Sequence, residues 1–226
     1  MAKTNFILLN GWACDASHLT ELASEYGTVV SNKDYFNKAD ANENLPNFSN
    51  LDSKNTVLIG YSLGGFTALK ALTKQNFKAC ILISSFSDFV TGLLGNARVN
   101  RIRTAQLDAM IEQCQKNPKE LSESFFKNVY SPASPKIIEQ DSYNTESLVS
   151  GLQELKESIG VEKIETPCLI LHGAKDKVVP VAFSKQLHQT LKNSHLELFE
   201  TCGHALPMLH SAEIIKHIDL FLKEID

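Results

Sequence analysis

The chain has 226 residues, 43% of them hydrophobic and 21% charged, enough to bury one full core with or without an insertion and too few for a second large domain. Its formal charge of −4 argues against a general nucleic-acid binder, which needs a basic face to neutralise phosphates. No apolar stretch approaches the roughly 20 residues of a membrane span, and the apolar run after Asn5 is too brief for a signal-peptide core, so a soluble cytoplasmic protein with no membrane partner is expected.

Short apolar runs alternate with amphipathic segments, the pattern of parallel strands joined by helices. Strands are predicted at residues 6–9, 28–30, 57–59, 79–83, 168–171 and 195–199, and strands buried on both faces need such continuous hydrophobicity. A helix is predicted over 66–74. Residues 31–55 are short and rich in Asn and Asp, so any helix ahead of the third strand must be brief or irregular.

Between Ser84 and about Val161 the rhythm becomes helical. Ile102, Leu107, Met110, Ile111 and Cys114 share one helix face; Leu121, Phe125 and Phe126 share a second; Leu148, Leu152, Leu155 and Ile159 form a third stripe. Gly92, Gly95 and the proline-containing stretch 131–135 are its joints. The expected organisation is a core of residues 1–85 and 161–226 with a helical cap inserted at 86–160. Ser211 is the expected N-cap of a last helix whose Ile214, Ile215, Ile218 and Phe221 pack on the sheet.

Cys14, Cys80, Cys114, Cys168 and Cys202 are odd in number and scattered, with no C-x-x-C pair to suggest zinc or redox chemistry, so reduced thiols are expected.

Gly60-Tyr61-Ser62-Leu63-Gly64 matches G-x-S-x-G between a predicted strand and a predicted helix. A serine there stands exposed at the carboxyl end of the sheet, and the glycines let strand and helix approach without a Cβ clash. A hydroxyl is a weak nucleophile near neutral pH, so it needs a base in reach and an acid to hold the base's tautomer. Asp176 follows the fifth predicted strand and His204 the sixth, in the expected order Ser, acid, His. His172 precedes the acid and takes a supporting role at most. An oxyanion needs two donors: the backbone N–H of Leu63, just after the serine, and that of Trp12, after the first strand. The one tryptophan also suits a core or lid-packing role.

Asn10-Gly11-Trp12, Gly60-Tyr61-Ser62-Leu63-Gly64-Gly65, Gly173-Ala174-Lys175-Asp176 with Val179-Pro180, and Gly203-His204-Ala205 together resemble an α/β-hydrolase over nearly the whole chain. Within that superfamily the chain most resembles the pimeloyl-acyl carrier protein methyl ester carboxylesterases of biotin synthesis. The resemblance implies a mostly parallel central sheet flanked by helices, with a small helical cap. Many relatives have His-Gly-Trp where this chain has Asn10-Gly11-Trp12, so any imidazole role there is lost.

The three arginines, Arg98, Arg101 and Arg103, all fall in the insertion. Arginine offers a planar fork for phosphate or carboxylate; a solvated helix start paired with Asp108 or Glu112 explains the cluster equally well. The resemblance implies that these arginines contact a phosphopantetheine phosphate or an acidic acyl carrier protein, while Phe125 and Phe126 line an acyl channel. The expected reaction is ester hydrolysis with no metal or organic cofactor, on a small-molecule or carrier-linked acyl ester. A general short-chain carboxylesterase, a lyase or C–C bond hydrolase, and a ligand-binding protein on the same fold remain open.

Overall fold

The computed structural model describes residues 4–27, 29–30, 35–36, 48–91, 96–136, 140 and 142–225. Six strands pair in parallel: β1 (Asn5–Leu9), β2 (Val29–Val30), β3 (Thr56–Tyr61), β4 (Ala79–Ile83), β5 (Cys168–Gly173) and β6 (Ser194–Phe199). Their spatial order is β2-β1-β3-β4-β5-β6. Each coincides with a strand read from the sequence, apart from Thr28, which lies outside the described residues. Every residue of β3, β4 and β5 is buried, which is why those runs are uninterrupted, whereas the edge strand β6 exposes His195 and Glu197 between half-buried leucines.

Successive side chains leave a strand on opposite faces, and the core divides accordingly. Ile59, Ile81 and Leu171 join one cluster; Leu58, Cys80 and Ile170 join the other.

The helices are α1 (Thr20–Tyr26), α2 (Leu63–Leu72), α3 (Ala97–Lys116), α4 (Pro118–Tyr130), α5 (Thr145–Glu154), α6 (Ala182–Thr190), α7 (Leu206–Leu209) and α8 (Ser211–Ile225). Helix α2 begins at Leu63 rather than 66, because the turn at Ser62 is a single residue. Leu69 and Leu72 of α2 and Leu187 of α6 cover one face of the sheet. Ile214, Ile218 and Phe221 of α8 cover the other, where Tyr26 Oη donates to Asp219 at 3.1 Å. Ser211 is the first residue of α8 and not its cap: the His210 carbonyl accepts from Glu213 and Ile214 N–H, so the cap lies one residue earlier.

Helices α3, α4 and α5 lie between β4 and β5. The insertion closes at its base, where Ile159 N–H donates to Ser87 O at 2.9 Å and Asp88 bridges Ser158. Asn117 ends α3 and caps α4, accepting from Glu120 N–H at 3.2 Å, with Pro118 preset for the first turn. Leu107, Cys114, Leu121, Leu148 and Leu152 are buried between these helices. Ile102 is not on that face: it is 50% exposed, because five residues rotate it by about 140° from Leu107. Leu155 and Ile159 pack beyond the end of α5, and Gly92 and Gly95 lie outside the described residues. Among the described residues of 31–55 there are only two 3-10 turns, Phe48–Asn50 and Ser53–Asn55, consistent with an irregular approach to β3.

No helix among the described residues is long and apolar enough to cross a membrane. All five cysteines are buried free thiols.

Candidate active site

The chain runs from β1 outward to β2, then returns past β1 to β3, so the carboxyl ends of β1 and β3 diverge in connectivity and open a crevice between them. Leu9 pairs with Gly60, which sets the Asn10–Trp12 loop beside Ser62. Ser62 sits at φ 53°, ψ −118°, a conformation disfavoured for a residue with a Cβ, and it is held there by Ser62 N–H donating to Ile83 O at 2.9 Å. The glycines around it are sterically required. A Cβ on Gly60 would lie 2.5 Å from Gly65 Cα, and one on Gly64 would lie 2.2 Å from Leu9 O.

Three loops at the same sheet edge bring the remaining groups to the serine. His204 Nε2 is 3.1 Å from Ser62 Oγ, and His204 Nδ1 is 2.7 Å from Asp176 Oδ2. The carboxylate makes Nδ1 the donor, which leaves Nε2 to accept from the hydroxyl. Asp176 Oδ1 accepts from the N–H groups of Val178 and Val179, each at 2.8 Å, so both carboxylate oxygens are occupied and the carboxylate cannot rotate freely. The His204 loop is tied down too: Tyr61 Oη donates to His204 O at 3.2 Å, and Ala205 N–H donates to Val129 O of α4 at 2.9 Å. A Cβ on Gly203 would lie 1.8 Å from Ser131 O.

His172 is fully buried beneath this relay, with Nε2 donating to Val179 O at 2.8 Å and lying 3.4 Å from Asp176 Oδ2. Burial holds its pKa below the ordinary 6.5, outweighing the nearby carboxylate, so the ring is neutral and carries its proton on Nε2.

Leu63 is the first residue of α2, where N–H groups have no intrahelical acceptor. The Gly65 and Phe66 amides both turn back to Ser62 O, and Leu63 itself is among the residues that line the cavity. On the facing loop, a Cβ on Gly11 would come within 3.2 Å of Ser62 Cβ, and Trp12 follows directly. Asn10 donates its side-chain amide to Cys14 O, bracing its own loop. The Trp12 indole donates to Leu148 O of α5 at 2.8 Å and meets Phe125 edge-on at 4.8 Å, so the side chain packs under the inserted helices.

A cavity of about 480 Å³ opens over Ser62 and Leu63, walled by Phe86, Leu107, Met110 and Phe125. That is the size of a site for a small organic molecule. Phe125, one of the two phenylalanines that the family resemblance places along an acyl channel, lines it. Phe126 does not: it stacks on His18 at 5.0 Å, one residue round the helix from Phe125. None of the arginines is among the described lining residues. Arg98 and Arg101 are exposed, while Arg103 turns inward, donating to Phe89 O at 3.3 Å and lying 4.6 Å from the Phe183 ring. Asp108 pairs with Lys156 instead of an arginine.

The sequence reading missed Ser85, whose Oγ donates to Ser62 O at 2.9 Å, and Lys177 at the cavity rim. Ser85 was accessible in principle, since Tyr61 pairs with Ile83 and the residues after both strands must be neighbours.

Residues 27–208 match the family described as serine aminopeptidase, S33. The AB hydrolase superfamily protein YisY of Bacillus subtilis is 31% identical over 168 residues, covering 68% of this chain and 61% of YisY. A pimeloyl-[acyl-carrier protein] methyl ester esterase of Neisseria meningitidis is 40% identical over 53 residues, 24% of this chain and 20% of that protein. The chain thus spans less than two thirds of either relative. Among solved structures, an esterase from Exiguobacterium antarcticum superposes with a TM-score of 0.75 over 99% of this chain and 93% of its own, at 19% identity, a likeness of fold.

Proposed function

Since the chain belongs to the serine aminopeptidase S33 family of the α/β-hydrolases, we propose that it is a serine carboxylesterase acting on small, mostly apolar esters. The observation that carries this reading is the Ser62–His204–Asp176 relay at the floor of an apolar cavity of about 480 Å³. Ser62 Oγ attacks the ester carbonyl while His204 Nε2 takes its proton, and Asp176 holds the imidazole in the required tautomer. The backbone N–H groups of Leu63 and Trp12 receive the developing oxyanion, a role in which losing one donor costs about 2.7–4 kcal/mol. His204 then protonates the leaving alkoxide and activates water to release the acid. Residues 86–160 act as a cap that shapes the acyl site.

An N-terminal peptide would bring a free ammonium into the cavity, which needs a carboxylate to receive it. No Asp or Glu is among the described lining residues, and this favours esters over peptides. The pimeloyl-acyl carrier protein methyl ester remains a second reading, supported by the short match to the Neisseria esterase and by exposed Arg98 and Arg101 as carrier contacts.

The test is hydrolysis of p-nitrophenyl butyrate and of a methyl-capped pimeloyl thioester on acyl carrier protein, by wild type and Ser62→Ala. Serine-dependent turnover of the simple ester supports the general esterase. A strong preference for the carrier-linked ester selects the second reading, and turnover that survives Ser62→Ala rejects both.

A further inference from the structure

We propose that Lys177 selects esters that carry a second, anionic group, so that half-esters with a free carboxylate are preferred over their neutral counterparts. This rests on the esterase reading and names the substrate class of the same cavity.

Among the described residues that line the cavity, Lys177 carries the one formal charge. It lies in the loop after β5, immediately beyond Asp176, with its side chain exposed at the rim. It makes no ion pair among the described residues. Its sequence neighbour Asp176 forms no ion pair with it: that carboxylate's oxygens are engaged by His204 and the amides of Val178 and Val179. Apart from Ser62, the neutral hydrogen-bonding side chains of the lining include Gln106, Gln113, Ser124 and Asn128, all from the inserted helices. They can donate to a carboxylate without opposing its charge.

An ammonium at the mouth of a cleft with apolar walls acts over a longer range than one in open solvent, because low-dielectric surroundings focus its field into the cleft. A substrate carboxylate gains that attraction, and a substrate ammonium meets repulsion with no acid among the described lining residues to pair with it. At an exposed rim the effect is modest and screened by salt. The expected preference is roughly three- to tenfold in kcat/KM.

The experiment compares matched esters on the full chain. Monomethyl adipate is set against the methyl ester of its neutral primary amide, placing the charge in the acyl part. Butyryl glycolate is set against butyryl glycolamide, placing it in the alcohol part. Each pair is measured at low and high ionic strength with wild type, Lys177→Met and Lys177→Glu. The expected result is an anion preference in at least one pair that shrinks at high salt, collapses in Lys177→Met and reverses in Lys177→Glu; the responsive pair identifies which side of the ester faces the lysine. Equal turnover within both pairs by wild type at low salt overturns the inference, and this reading needs no folded variant. A preference unchanged by Lys177→Met also overturns it. Ser62-dependent cleavage of the neutral esters in either case leaves the esterase reading intact, whereas no Ser62-dependent cleavage of any of them removes both.

Discussion

At the corner between β3 and α2, Gly60 and Gly64 meet backbone atoms at distances that no side chain tolerates, and Ser62 is held at a positive φ. Across the cavity the inserted helices present Met110, Phe125 and Leu152, side chains that others of similar volume could replace. The corner fixes where the hydroxyl stands. The insertion supplies most of the walls of the cavity above it. On the proposed esterase reading, substitution at the corner should destroy chemistry, whereas substitution in the insertion should change selectivity. Among the contacts that join core and insertion are Ala205 N–H on Val129 O, the Trp12 indole on Leu148 O, and Lys70 of α2 on Glu154 of α5.

The sharpest way to break this contrast is on the acidic side of the relay. Asp176→Asn keeps the shape of the side chain but favours the wrong imidazole tautomer, and should lower kcat by about 10⁴-fold while leaving KM nearly unchanged. A fall of less than tenfold in steady-state assays would remove Asp176 from the orienting role.

Next in size is Gly64→Ala, which places a methyl group 2.2 Å from Leu9 O. It should cost about 3 kcal/mol of stability, seen as a lower urea midpoint at unchanged slope, and should reduce activity in the fraction that remains folded. Wild-type stability would mean that the corner yields more readily than its contacts imply.

On the insertion, Phe125→Ala enlarges the apolar wall and loosens the edge contact with Trp12. KM for a butyrate ester should rise by about tenfold, with a smaller change in kcat, and longer acyl chains should lose less. A loss confined to kcat would place Phe125 with the chemistry and blur the division.

The smallest effect concerns His172, whose pKa burial holds below 6.5. The unfolded chain binds a proton there that the native ring resists, so this contribution is complete above about pH 6.5 and is lost as pH falls below it. Urea titrations between pH 5 and 7.5 should show wild-type stability declining through that window. His172→Gln should decline less steeply over the same range; an unchanged slope would assign the dependence to other groups.

Much of this arrangement was legible in the residues alone. Strands such as Ala79–Ile83 are continuous apolar runs because both faces are covered, and period and length suffice to find them. Ser62, Asp176 and His204 were each identifiable from a position just past a strand, since parallel strands bring their following loops to one edge. The separation of Phe126 from Phe125 was not legible, because adjacent helical residues differ by about 100° and the sequence does not say which one faces the cavity. The division of the arginines was likewise hidden: Arg103 turns inward because Phe183, eighty residues on in the chain, provides an aromatic face. Local spacing carries no record of such partners. Ser211 was misplaced by one residue for a local reason, since His210 makes a serviceable cap through its backbone carbonyl alone.

The most direct test of the account is to react the full chain with a fluorophosphonate and locate the adduct by peptide mass spectrometry. The relay predicts stoichiometric labelling of Ser62, with loss of esterase activity in proportion, and no labelling of Ser62→Ala. Full ester turnover with Ser62 unmodified, or an inactivating adduct on another residue, would contradict it.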